Sequence, residues 1–215
     1  ESDVQSDIKI IVIGKSGTGK TSYVNKWTKN IFNESYKATI VSEYGYKIHQ
    51  FKGNYYRIQL WDIAGQDKNS KVTKTFAKNS LGCIVVCDAT NIATREESNK
   101  WKVSTDEVVK FPDGQKIPAI LVENKSDLLD QNEIGNVVSL KGFANSNNYI
   151  GSFRTSAKTG YNINESMEFL IEKIIDRLAK KSSNEFTPDE KSISLNPQNH
   201  SMSNSIRMEK EKRNI

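Results

Sequence analysis

Residues Ile8 to Thr21 read IKIIVIGKSGTGKT. Ile10, Ile11, Val12 and Ile13 form an apolar run with Ile8 just before it, the pattern of a buried strand, and Gly14 marks where that strand must turn. From Gly14 the chain matches a phosphate-binding loop in full: glycine, four residues, glycine, lysine and a hydroxyl residue. The glycines let consecutive backbone N–H groups curl around phosphate oxygens at the positive end of a helix beginning near Lys20. Ser16, Gly17, Thr18, Gly19, Lys20, Thr21 and Ser22 are therefore candidate phosphate-binding residues. Lys20 supplies a point charge to the outer phosphates, and the Thr21 hydroxyl is placed to ligate magnesium.

Outward from this loop the chain alternates strand and helix patterns. A helix is expected from Thr21 to about Asn30, then a polar loop bearing Phe32, Tyr36 and Thr39. Strand patterns at Tyr44–Phe51 and Tyr55–Trp61 flank Lys52-Gly53-Asn54, which reads as a hairpin. A polar helix near Lys68–Lys78, a strand Gly82–Cys87 and a helix Thr94–Lys110 with Trp101, Val108 and Phe111 on its apolar side follow. A strand Ala119–Val122, a short helix near Leu140–Ala144, an edge segment at Phe153 and a helix Asn164–Lys180 complete the pattern. The last helix carries Met167, Phe169, Leu170, Ile174, Ile175 and Leu178 in one stripe. Such alternation means a mainly parallel sheet with helices on both faces and a ligand at the carboxyl ends of the strands.

The chain has 215 residues, 36% hydrophobic and 27% charged, enough for one domain with a substantial core. Residues 1–7 read as a flexible lead-in, and 181–215, rich in Ser and Asn, as a disordered tail. The net charge of +5 comes without a basic block interleaved with aromatics, so no nucleic-acid partner is expected. Cys83 and Cys87 lie inside an apolar strand at a spacing that points both to one face, and read as inert core thiols of a reducing compartment.

Five segments in order, GKSGTGKT, Thr39 in YKATI, WDIAGQ, NKSD and TSAK, resemble those of the small guanine-nucleotide-binding proteins and, within them, the Rab family. WDIAGQ, KWK around Trp101 and the loop FPDGQKIPAIL look most like the subfamily of lysosome-related organelles. The resemblance spans Ile8 to Lys180 and implies a three-layer α/β domain, with a mostly parallel six-stranded sheet containing one antiparallel strand. It implies a monomeric molecular switch that binds GTP or GDP with Mg2+ and hydrolyses GTP slowly. The expected location is the cytoplasm, peripherally on intracellular membranes, with membrane attachment only if a lipidated C-terminus exists beyond this chain.

The Asp127 carboxylate offers a planar acceptor pair that matches two adjacent N–H donors of guanine and has no match on adenine. By resemblance Asn124 ties this loop to the phosphate loop, and the stems of Lys125 and Lys158 sandwich the base. Ser156 and Ala157 complete that end, with the Ala157 N–H on the guanine oxygen. Asp62 looks like the magnesium-side carboxylate, and Thr39 like the switch threonine that ligates the ion when the terminal phosphate is present. Gly65 offers an N–H to that phosphate, and Gln66, with Lys20, is the catalytic candidate, orienting the attacking water. Phe32 resembles the aromatic packed on the base and Tyr36 the one closing over the phosphates. Tyr44, Trp61 and Phe76 match a Rab-type aromatic trio, expected to meet an exchange factor, an activating protein and effectors.

Departures from the family pattern are Val41 where a glycine is usual, Asp67-Lys68-Asn69 after Gln66, and Lys15 and Glu123 beside the nucleotide loops. They leave open a second reading, a guanine-nucleotide-dependent scaffold that scarcely hydrolyses.

Overall fold

A computed structural model describes residues 4–35, 39, 42–65, 75–130 and 139–184. Six strands form one sheet in the order β2-β3-β1-β4-β5-β6: β1 Val4–Ile13, β2 Ser42–Phe51, β3 Asn54–Ile63, β4 Gly82–Asp88, β5 Ala119–Asn124 and β6 Gly151–Arg154. Only β2 runs antiparallel to its neighbour, which gives the mostly parallel α/β sheet expected. Helices α1 (Lys20–Lys29) and α4 (Ile163–Asn184) pack together on one face, α2 (Ile92–Val108) packs on β4 and β5, and α3 (Leu140–Ser146) lies against β6.

Because both faces are covered, the central strands are apolar without alternation. Ile8, Ile10, Ile11, Val12 and Ile13 of β1 are all buried, as are Ile84 to Cys87 of β4 and Ala119 to Val122 of β5. The hairpin closes through Lys52 and Gly53, both at positive φ, the backbone that a two-residue loop between twisted strands requires. Its register follows from that turn and sets Tyr44 opposite Trp61 and Glu43 opposite Asp62.

Several boundaries differ from the sequence reading. β1 begins at Val4, inside the expected lead-in, because β3 extends far enough to pair with it, Val4 with Tyr55 and Asp7 with Arg57. α4 continues to Asn184, past Lys180. On α2 the inward face is not the apolar side expected: Trp101 and, beyond the helix, Phe111 are buried, but Val108 is 38% exposed. The buried positions are Thr94, Arg95, Ser98, Trp101, Lys102, Thr105 and Asp106, one helical face neutralised by ion pairs. Tyr36, Val41, Gln66 and Asp67 to Asn69 lie outside the described residues, as does most of the helix expected near Lys68–Lys78; residues 75–77 are helical.

Candidate functional site

A cavity of about 800 Å³ opens where β1, β3, β5 and β6 end. Ser16, Gly17, Gly19, Lys20, Thr21 and Ser22 line one end, and Asn124, Lys125, Asp127, Ala157 and Lys158 the other, with Phe32, Thr39 and Gly65 along the rim. Five loops remote in sequence thus meet at one crevice at the carboxyl edge of the sheet.

The phosphate-loop end is built by backbone. Gly17 and Gly19 take φ of 82° and 89°, which aims the loop into the N-terminus of α1, where unpaired N–H groups favour an anion. Gly65 lies so close that a Cβ there would sit 2.5 Å from the Gly14 carbonyl oxygen and from the Ser16 nitrogen, and the Ser16 N–H donates to the Gly65 carbonyl at 3.0 Å. Thr18, expected to bind phosphate, does not line the cavity with its side chain: it is buried, and its hydroxyl closes the loop onto the Lys15 carbonyl at 2.9 Å. Lys20 Nζ donates to the same carbonyl at 3.1 Å. Burial pulls the Lys20 ammonium below its usual range, with Asp62 opposing.

Asp62 is fully buried beneath this end. One carboxylate oxygen accepts from the Thr21 hydroxyl and, at 3.5 Å, from that of Thr39; the two hydroxyls lie 2.9 Å apart. Its other oxygen has no hydrogen-bond partner among the described residues. Burial pushes the carboxyl up to about 6, the Thr21 hydrogen bond and Lys20 opposing and Glu43 adding to the rise. Two hydroxyls, a buried carboxylate with an unpartnered oxygen, and Glu43 beside them are hard oxygen donors that fit a hard divalent cation.

At the other end Asn124 joins the halves. Its amide donates to the Thr18 carbonyl at 3.1 Å and its oxygen accepts from the Ala157 N–H at 3.0 Å. That N–H, expected to meet the base, is turned inward, because a buried amide must find an acceptor and Asn124 supplies one. Ser156 is likewise buried and lines no part of the cavity; its hydroxyl donates to Asp127 at 2.5 Å and fixes the carboxylate. Lys125 reaches Asp88 at 2.5 Å and Lys158 reaches Glu34 at 3.2 Å, leaving their stems along the cavity.

Trp61 lies between the other two aromatics, 5.2 Å from Tyr44 and 5.7 Å from Phe76, ring centre to ring centre. Tyr44 is 47% exposed, and Tyr46, not singled out from the sequence, stacks on it at 6.0 Å. Other lining residues that were missed include Asn25, Ile31, Glu34, Glu43 and Leu128. Glu43 was within reach: counting back from the Lys52-Gly53 turn sets it opposite Asp62.

The Ras family model matches residues 9–176. Rat Ras-related protein Rab-7L1 is 33% identical over 173 residues, covering 78% of this chain and 82% of the relative. Human Ras-related protein Rab-32 is 36% identical over 168 residues (78% and 74%), and Rab-32A of Dictyostelium discoideum 36% over 169 residues (78% and 77%). With the family matched from within β1 to within α4 and its nucleotide loops gathered at one cavity, the chain belongs to the Ras family and is a divergent Rab-like small GTPase, a guanine-nucleotide switch of the kind that works in membrane traffic.

Proposed function

We propose that this cavity holds GTP or GDP with Mg2+, phosphates on the loop Ser16–Ser22 and the base against Asp127, and that the switch turns over through Gln66. The observation that carries the reading is the convergence of Thr21, Thr39 and Asp62 around an unpartnered carboxylate oxygen at the phosphate end. When bound, the cation would neutralise charge on the outer phosphates and be ligated by the Thr21 and Thr39 hydroxyls, with Asp62 behind them. Lys20 adds a fixed positive charge, and the backbone N–H groups of the loop and of Gly65 hold the oxygens in place. Gln66 orients the attacking water, and Tyr36 closes over the phosphates.

Thr39 can reach the cation only while its loop is drawn in, so loss of the terminal phosphate releases that loop and alters the adjoining surface. Tyr44, Trp61 and Phe76, packed ring against ring, form the surface for exchange factor, activating protein and effectors. The protein acts as a monomer at the cytoplasmic side of intracellular membranes, among them those of lysosome-related organelles. Among the described residues no helix is long and apolar enough to cross a bilayer. Attachment to those membranes would be peripheral, and would need a lipidated C-terminus beyond this chain.

Single-turnover phosphate release from GTP with Mg2+ tests the reading. Wild-type protein should release phosphate at least tenfold faster than Gln66→Leu, since positioning of the water is most of the catalysis available. Equal rates would instead favour the scaffold that scarcely hydrolyses.

A further inference from the structure

Glu123 places a carboxylate in the interior of the sheet, at the penultimate position of β5, just before Asn124 and the base-end loop. It is 1% exposed and lies in register between Cys87 of β4 and Arg154 of β6. Two guanidiniums converge on it. Arg95 of α2, itself buried, donates to one oxygen through Nε at 2.8 Å and through Nη2, and Arg154 donates to the other through Nε at 2.8 Å. The backbones are joined at the same level: the Thr155 N–H donates to the Glu123 carbonyl at 2.9 Å.

Beyond this level both strands run into loops that line the base end. Asn124 to Asp127 follow Glu123, and Thr155 to Lys158 follow Arg154. The Ser126 N–H donates to the Thr155 carbonyl at 3.0 Å, and the Ser156 hydroxyl sets the Asp127 carboxylate. The Arg154 carbonyl is held from the far side by the Asn162 amide at 2.9 Å. A buried ion network of this kind adds little net stability over an apolar filling of the same volume. What it does impose is geometry, because charge-assisted bonds in a dry site resist displacement.

We infer that Glu123 is a positioning residue for guanine recognition: through Arg154 it fixes the loop bearing Ser156, and through Ser156 the direction of the Asp127 carboxylate. Arg95 anchors the carboxylate from α2 so that the pull of Arg154 does not tilt it. The inference rests on the proposed base site at Asp127. It assigns to three charged residues outside the cavity the task of holding one acceptor pair aligned with the ring N–H and the 2-amino group of guanine.

The test compares GDP with inosine diphosphate, which lacks that 2-amino group, by equilibrium binding to the full chain. Wild-type protein should prefer GDP on the order of 10- to 100-fold, the worth of a hydrogen bond to a charged acceptor. Arg154→Ala leaves the Arg95–Glu123 pair neutralised in the core, and should cut that preference by about tenfold while the GDP to GMP ratio, which reads the phosphate end, changes less. Arg154→Lys, which keeps the charge but not the planar donor, should fall between them. If Arg154→Ala fails to fold, the same ratio is read on Arg154→Lys and on Glu123→Gln. Parallel weakening of both nucleotides with the ratio intact would overturn the positioning role and leave a structural one. A wild-type ratio near one would overturn the base site itself.

Discussion

The Asn124 amide nitrogen lies 3.1 Å from the Thr18 carbonyl oxygen, so a side chain at the end of β5 is bonded to the phosphate loop 106 positions earlier. Its oxygen meanwhile takes the Ala157 N–H, which makes this one carboxamide the joint between the two ends of the cavity. Asn124→Ala leaves a carbonyl and an N–H without partners, at about 1–3 kcal/mol each if both stay dry. We expect GDP and GTP affinities to fall together by on the order of 10- to 100-fold, seen as faster release of a fluorescent nucleotide. Unchanged release rates would show that the ends hold their spacing without it.

Gly65 and Ser16 make a second joint, of backbone alone. A Cβ at 65 would meet the Gly14 and Ser16 backbone at 2.5 Å, and backbone cannot yield as a flexible side-chain tip can. Gly65→Ala should therefore push the loop after β3 away from the phosphate loop, lowering stability by about 1–3 kcal/mol, the usual cost of overpacking. The ratio of triphosphate to diphosphate affinity should fall with it, because the proposed site of the terminal phosphate adjoins that joint. A variant with wild-type melting temperature and ratio would refute the contact.

What the sequence made legible is what periodicity and turn chemistry encode. The continuous apolar runs of β1 and β4 need no context, since a strand covered on both faces has no polar side to show. The hairpin is specified by its two-residue turn, and the α4 stripe places Met167, Leu170 and Ile174 in the core. The candidate site was legible because each of its loops carries atoms whose chemistry demands particular residues. What periodicity and turn chemistry do not carry is what depends on partners far along the chain. Ser6 and Asp7 carry no strand signal of their own and extend only because β3 lies beside them. Thr18, Ser156 and Ala157 belong to the right loops, but which of their groups face the cavity follows from the Lys15 carbonyl, Asp127 and Asn124. The inward face of α2 is charged, and no hydrophobic period can reveal a face whose burial depends on pairing.

That charged face can be tested directly at Lys102 and Asp106, one turn apart and both buried. Their contact is 2.6 Å, and Lys116 approaches the same carboxylate oxygen at 3.3 Å. Asp106→Ala strands the Lys102 ammonium in the core and should cost about 3–5 kcal/mol in denaturant unfolding. The double variant Lys102→Met, Asp106→Leu removes both charges and should recover most of that loss. If the single variant costs under about 1 kcal/mol, the pair is wetter than its burial indicates.

The two thiols give a probe of how tightly the sheet is closed. Cys83 and Cys87 are both free and buried under α2, with Asp106 and Glu123 respectively among the charges nearest them. Burial pushes both thiols far up, with those carboxylates adding to the rise, so the reactive thiolate is scarce at neutral pH as well as inaccessible. Native protein should accordingly consume almost no thiol reagent over minutes, and denatured protein both equivalents. Rapid reaction of one thiol in the native state would mean that α2 lifts from the sheet on that timescale. If Arg154→Ala accelerated the Cys87 reaction and left Cys83 silent, the opening would be confined to the Arg95–Glu123 end of the helix, since each thiol reports on its own end of α2.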